Sequence, residues 1–168
     1  YNMRRYLFFQ LNKKQSLKYH GDEAFRTFVY SQMDNPRKQL CLDLSHCNNI
    51  TDVSALGGVH TLDLSWCKEL KDVAALGELH TLHLKGCSKI TDVSALGGVH
   101  ELNLNWCNNI TDVSALGGVH TLDLMMCKGI KDVTALGRVH ALNLKGCNKI
   151  TDVSALGGVH TLTLSHCY

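Results

Sequence analysis

The sequence predicts a solenoid: short parallel strands, one per twenty-residue coil, stacked into a single sheet. Three observations predict it. The decapeptide TDVSALGGVH stands verbatim at 51–60, 91–100, 111–120 and 151–160, and two edited copies, KDVAALGELH and KDVTALGRVH, occupy 71–80 and 131–140. Seven cysteines, Cys47, Cys67, Cys87, Cys107, Cys127, Cys147 and Cys167, keep the same twenty-residue spacing. In the unit that begins at Val59, apolar residues fall at unit positions 1, 4, 6, 12, 15 and 18, with cysteine at the ninth. Positions 4 and 6 alternate with polar neighbours, the mark of a short strand with one buried face. Twenty residues with one such strand cannot enclose a core alone, so neighbouring units must stack.

The first forty residues lie outside the period. GDEAFRTFVYSQM (21–33) sets Ala24, Phe25, Phe28, Val29 and Met33 on one helical face, with Asp22 as N-cap. Phe25, Phe28 and Val29 are expected to cover the first repeat. Pro36 in NPRKQL ends that helix and leads into the first strand. Upstream, NMRRYLFFQL offers a weaker helix. Residues 1–40 are thus read as a helical cap and 41–168 as the repeats, six full units plus a truncated last one that stops at Tyr168, after its strand half.

The unit pattern L-x-x-L-x-L-x-x-C-x-x-L resembles the leucine-rich repeat family. Val59, Leu62, Leu64, Cys67 and Leu70 match it, as do Leu79, Leu82, Leu84, Cys87 and Ile90 and the units that begin at Val99, Val119 and Val139. The first unit matches at Leu42, Leu44, Cys47 and Ile50, but Gln39 replaces its leading aliphatic. The resemblance implies a leucine-rich-repeat solenoid with a parallel sheet on the concave face. A cysteine followed by x-x-I and TD is similar to the cysteine-containing subtype common in F-box proteins. TDVSAL in a twenty-residue unit is closer to bacterial internalins, which implies 3-10 or turn segments on the convex face.

Within the fixed half, Asp52, Asp72, Asp92, Asp112, Asp132 and Asp152 stand where a short helical turn begins and are expected to accept from N–H groups two or three residues on. Val53, Ala55 and Leu56, with their equivalents, are expected to pack that turn inward. Gly57, Gly77, Gly97, Gly117, Gly137 and Gly157 are read as reversing the chain. The cysteines read as buried, reduced thiols: parallel Cβ vectors suit neither a disulfide nor a tetrahedral ion.

Variation concentrates at unit positions 3, 5, 7 and 8, on the concave strand face or its edge. There stand Asp63, Trp66, His83, Lys85, Glu101, Asn103, Trp106, Asp123, Met125 and Met126, the expected partner-binding residues. Both tryptophans of the chain fall at position 8, as do Gly86 and Gly146. Six of the ten histidines, His60, His80, His100, His120, His140 and His160, share position 2. They are expected on the rim, partly buried, about 5 Å apart. Mutual repulsion and burial both disfavour the imidazolium, which predicts stability lost between about pH 6.5 and 5. Metal capture by adjacent rings is the functional alternative.

The remaining signals are exclusions. Of 168 residues, 45% are hydrophobic and 19% charged, a globular composition. No apolar run nears the roughly 18 residues of a membrane span, and no signal peptide is recognised. Residues 1–40 carry eight Lys or Arg against three Asp or Glu, and 41–168 carry nine against twelve. Those basic residues are scattered rather than striped, so neither nucleic acid nor membrane is an expected partner. There is no nucleophile elbow, phosphate loop or HExxH. The expected function is non-catalytic protein binding by an intracellular monomer without cofactor or metal. The alternatives are the substrate receptor of an F-box-type ubiquitin ligase and a consensus-like array with no evolved partner.

Overall fold

The computed structural model describes residues 8–33 and 39–167. Pro36 and residues 2–7 of the upstream stretch lie outside them. The chain runs β1 (Phe8–Gln10), α1 (Lys13–Gly21), α2 (Glu23–Ser31), β2 (Gln39–Asp43), β3 (Thr61–Asp63), β4 (Thr81–His83), β5 (Glu101–Asn103), β6 (Thr121–Asp123), β7 (Ala141–Asn143) and β8 (Thr161–Thr163). The eight strands form one parallel sheet in sequence order. Register follows the repeat without slippage: Leu42 pairs with Leu62, Leu62 with Leu82, and so on to Leu142 with Leu162. A one-residue slip would turn every leucine out of the core, so the alternation itself holds the register.

Between strands, each coil crosses the opposite side in a 3-10 turn, as at Ser54–Leu56, Ser94–Gly98 and Ser154–Gly158. The aspartate before each turn starts it. Asp52, Asp92, Asp112 and Asp152 each accept from the backbone N–H two residues on, at 2.8 Å. Burial selects the expected positions: Leu62, Leu64, Cys67, Leu70, Val73 and Leu76 of one coil are all at most 2% exposed. The alanines differ. Ala55, Ala75, Ala95, Ala115 and Ala155 are exposed, not packed inward. Their carbonyls are what crowd the neighbouring coil: a Cβ built on Gly57, Gly77, Gly97, Gly117 or Gly137 would overlap the carbonyl oxygen of the alanine eighteen residues on. Gly57 and Gly77 have φ −62° and −66°, ordinary for any residue. Those glycines are therefore required for close approach of coils, not for chain reversal.

At the N-terminal end, α2 begins at its expected cap: Asp22 accepts from the Phe25 N–H at 2.9 Å. Val29 is buried and Phe25 half-buried, but Phe28 is 55% exposed and Ala24 is also exposed. The expected covering role of Phe28 falls instead to Tyr19 of α1, fully buried, whose hydroxyl donates to that of Tyr30 at 2.8 Å. Residues 8–10 are not helical. They form β1, parallel to β2, so the cap extends the sheet by a strand. Buried Ser16 secures α1 by accepting from the Asp43 N–H at 3.1 Å. At the other end the last coil is open: Val153 is 42% and Leu162 36% exposed. No helix among the described residues is long and apolar enough to cross a membrane.

Candidate functional site

Each strand ends in a turn that shapes the variable face. The Leu44 carbonyl accepts from the Cys47 N–H at 3.3 Å, and Leu64 and Leu84 repeat this with Cys67 and Cys87 at 3.1 Å. The third residue of that turn is unit position 8. It holds positive φ in every unit: His46 59°, Trp66 64°, Gly86 72°, Trp106 65°, Met126 62°, Gly146 75° and His166 62°. A positive φ there is what a type II turn demands, and glycine supplies it without strain. Five units nevertheless carry a bulky side chain, at about 1–2 kcal/mol each against a left-handed residue without Cβ.

Those side chains form a ridge. Trp66 stacks beside His46, centroids 6.4 Å apart. Its ring also lies across Gly86, where a Cβ would overlap it, and the Met126 thioether lies across Gly146 in the same way. The glycines are thus seats for the preceding side chain. Trp66 and Met126 are half-buried, and Trp106 is 38% exposed.

Unit position 5 has a structural task besides the binding role that its variability suggests. Asp63, Asn103 and Asp123 accept from the backbone N–H two residues on, at 2.8, 3.0 and 3.1 Å. Asn105, buried, ties two coils: its amide donates to Asp123 Oδ2 and its Oδ1 accepts from the Met125 N–H, both at 3.0 Å. The D/N-x-x spacing that repeats at Asp43, Asp63, Asn103, Asp123 and Asn143 is the signal for this. His83 stands in register between Asp63 and Asn103. It and Lys85 are half-buried, whereas Glu101 is exposed at the outer end of β5. Asp63, Trp66, His83 and Lys85 therefore occupy adjacent coils, as do Asn103, Trp106, Asp123, Met125 and Met126.

The thiols line the opposite, buried side of the same turn. Cys67, Cys87, Cys107, Cys127 and Cys147 donate to the leucine carbonyl of the preceding coil at 3.0–3.2 Å. The eight cysteines are all free. Burial pushes the Cys67 and Cys147 thiols up to about 11 and those of Cys87 and Cys107 up to about 12.

The histidines stack along the strand entrance. Successive rings from His60 to His160 have centroids 4.5–4.6 Å apart and planes within 21°. His60 is half-buried and the other five are exposed. Burial, then the His80 charge, lowers the His60 pKa. Hydrogen bonds from the residue two positions on lower those of Asp52, Asp92, Asp112, Asp132 and Asp152. A histidine with lowered pKa contributes stability above about 6.5 that is lost as pH falls through its folded value. A lowered aspartate contributes above about 3.9 and loses it on further acidification. Urea midpoints are expected to decline below about pH 6.5 and to decline further below about 4. A midpoint unchanged from about pH 7.5 to 3 would refute this.

A leucine-rich-repeat family model matches residues 40–56 and 99–116. No curated protein sequence matches the chain. Among solved structures, internalin C2 from Listeria monocytogenes is 23% identical, with TM-score 0.52 over 74% of this chain and 59% of its own. Another internalin of that organism, inlF, is 20% identical, with TM-score 0.49 over 90% of this chain and 57% of its own. The functional domain of InlJ from Listeria monocytogenes, which includes a cysteine ladder, is 18% identical, with TM-score 0.43 over 71% and 31%. This chain therefore spans only part of each of those structures. Stacked twenty-residue coils, an in-register parallel sheet and 3-10 turns opposite it give the chain the leucine-rich-repeat solenoid fold, and the family model for that repeat matches two of its segments.

Proposed function

We propose that the chain is a non-catalytic protein-binding module whose partner lies against the concave strand face and the position-8 ridge. Asp63, Trp66, His83, Lys85, Glu101, Asn103, Trp106, Asp123, Met125 and Met126 form the contact surface. The observation that carries this is the left-handed backbone under the ridge. Gly86 and Gly146 demonstrate that the frame accepts glycine there. Trp106 and Met126 hold the same strained conformation with large side chains in partial contact with solvent. Strain kept where a relaxed residue is available points to function, and aromatic and methionine side chains are those that anchor protein interfaces.

The free, hydrogen-bonded thiols support a reducing, intracellular setting. A substrate-receptor role in an F-box-type ligase fits the same surface and needs an F-box module joined to it.

The test is affinity capture with the wild-type chain and the double variant Trp106→Gly/Met126→Gly. The variant is expected to fold with an unchanged or higher urea midpoint, because positive φ suits glycine, and to lose capture at least tenfold, the effect of about 1.4 kcal/mol. Equal capture by both proteins would remove the ridge from the interface.

A further inference from the structure

The strand entrance carries a second chemistry. Unit position 3, next to the histidine of position 2, is threonine at Thr61, Thr81, Thr121 and Thr161 and alanine at Ala141. The threonine hydroxyls of Thr61, Thr81 and Thr121 lie 3.0, 3.1 and 3.3 Å from Nδ1 of His60, His80 and His120. One repeat departs from the row: position 3 on β5 is Glu101. Its carboxylate lies near the ring nitrogens of His80 and His100, with one donor atom from each of the three within 4.8 Å of the others. Among the described residues, no other group of three such side chains converges in this way.

We propose that His80, His100 and Glu101 form a binding site for a divalent first-row transition metal of the zinc class. This goes beyond protein binding and uses donors that need no partner. Two neutral imidazoles and one carboxylate are a ligand set that suits borderline ions such as zinc, nickel or copper rather than calcium or magnesium. Three protein donors leave the remaining position to water.

The geometry sets the required movement. Bonds of about 2.0–2.1 Å to a tetrahedral ion bring its donors to roughly 3.3 Å from one another. The His80 and His100 rings are stacked 4.6 Å apart, so their outer edges tilt together on binding. All three side chains are exposed, and the tilt is made against the stacking of His80 on His60 and its Nδ1 contact with the Thr81 hydroxyl. The carboxylate selects one pair from the ladder. Three of the other ring pairs have only threonine or alanine beside them on the strands, and His120 does not join the convergent group although His100 does. The buried thiols do not compete: Cys87 and Cys107, in the same two coils, are wholly enclosed and held protonated by burial. Ligation takes the neutral imidazole, so protons compete with the ion for the same ring nitrogens.

Zinc chloride titrated into the full chain at about pH 7.5, followed by calorimetry and by the histidine Hε1 resonances, tests the site. One ion per chain is expected, with the His80 and His100 resonances moving first. Glu101→Thr installs the residue that four other units hold, so the fold survives, and it is expected to weaken zinc roughly tenfold or more. His160→Asn, at the far end of the ladder, is expected to leave the affinity unchanged. Absence of binding at millimolar zinc, full affinity in Glu101→Thr, or equal weakening by His160→Asn would each overturn the assignment. Because zinc alone is the probe, the outcome is independent of whether the ridge binds a protein.

Discussion

Gly97→Ala is expected to destabilise the protein by about 3 kcal/mol or more, while Gly157→Ala leaves it unchanged or slightly more stable. The two glycines hold the same unit position in identical SALGG segments. They differ in the coil packed against them. A Cβ on Gly97 would overlap the Ala115 carbonyl oxygen, whereas one on Gly157 meets nothing within 4 Å. The obstacle at Gly97 is backbone in the adjacent coil, which cannot rotate aside as a side chain can. Relief requires the turns at Ser94–Gly98 and Ser114–Gly118 to separate. That loosens the central coil interface and, through it, the nearest-neighbour coupling on which a repeat array depends. At Gly157 the added methyl restricts the unfolded chain, worth about 0.4–1 kcal/mol in favour of folding. Urea midpoints of the two variants decide the matter, and equal midpoints would contradict the packing described.

The second large effect is chemical. In the native protein one thiol, Cys167, is expected to react promptly with a disulfide reagent at about pH 8, with Cys41 and Cys47 reacting more slowly. Cys67, Cys87, Cys107, Cys127 and Cys147 are fully enclosed, whereas Cys167 is half-exposed. A thiol at about 12, as for Cys87 and Cys107, holds roughly one part in ten thousand as thiolate at about pH 8, against about a quarter for a free cysteine. The scarcity of thiolate slows attack, only partly offset by the greater nucleophilicity of a high-pKa thiolate, before steric exclusion is counted. Eight thiols should titrate in urea. Native labelling of Cys87 or Cys107 at the rate of Cys167 would place the ladder outside the core.

Much of the frame was legible because its signals are local and repeated. Alternation around Leu62 and Leu64 set the strand, the twenty-residue period set the parallel register, and Asp52 and its equivalents announced each 3-10 turn. What escaped depends on contact between coils. The reason for Gly97 is a carbonyl eighteen residues away, which no reading of its own segment supplies. Ala115 is small and next to buried Leu116, yet it faces solvent. The positive φ at position 8 was hinted at by Gly86 and Gly146, but Trp66 and Trp106 at the same place masked it. Helix α1 has a poor apolar pattern, with only Ser16 and Tyr19 buried. Its signal was a capping box: Gln15 N–H donates to Asn12 Oδ1 and Asn12 N–H to Gln15 Oε1, both at 3.0 Å. Phe28 shares a helical face with Phe25 and Val29 but is 55% exposed, which periodicity alone does not reveal. In the candidate site, side-chain variation was visible from sequence. The division between residues that hold the turn, such as Asp63 and Asn105, and those that crown it, such as Trp106, needed the hydrogen bonds.

On the proposed function, the fixed half of each unit is frame and the variable half is the contact surface. Hydroxyl-radical footprinting of the captured complex tests it most directly, because tryptophan and methionine are readily oxidised side chains and cluster on the ridge. Partner binding is predicted to protect Trp66, Trp106, Met125 and Met126 while Met33 of the N-terminal cap oxidises as in the free chain. Unchanged oxidation of both tryptophans, with protection confined to the cap or to the face of the 3-10 turns, would contradict the account.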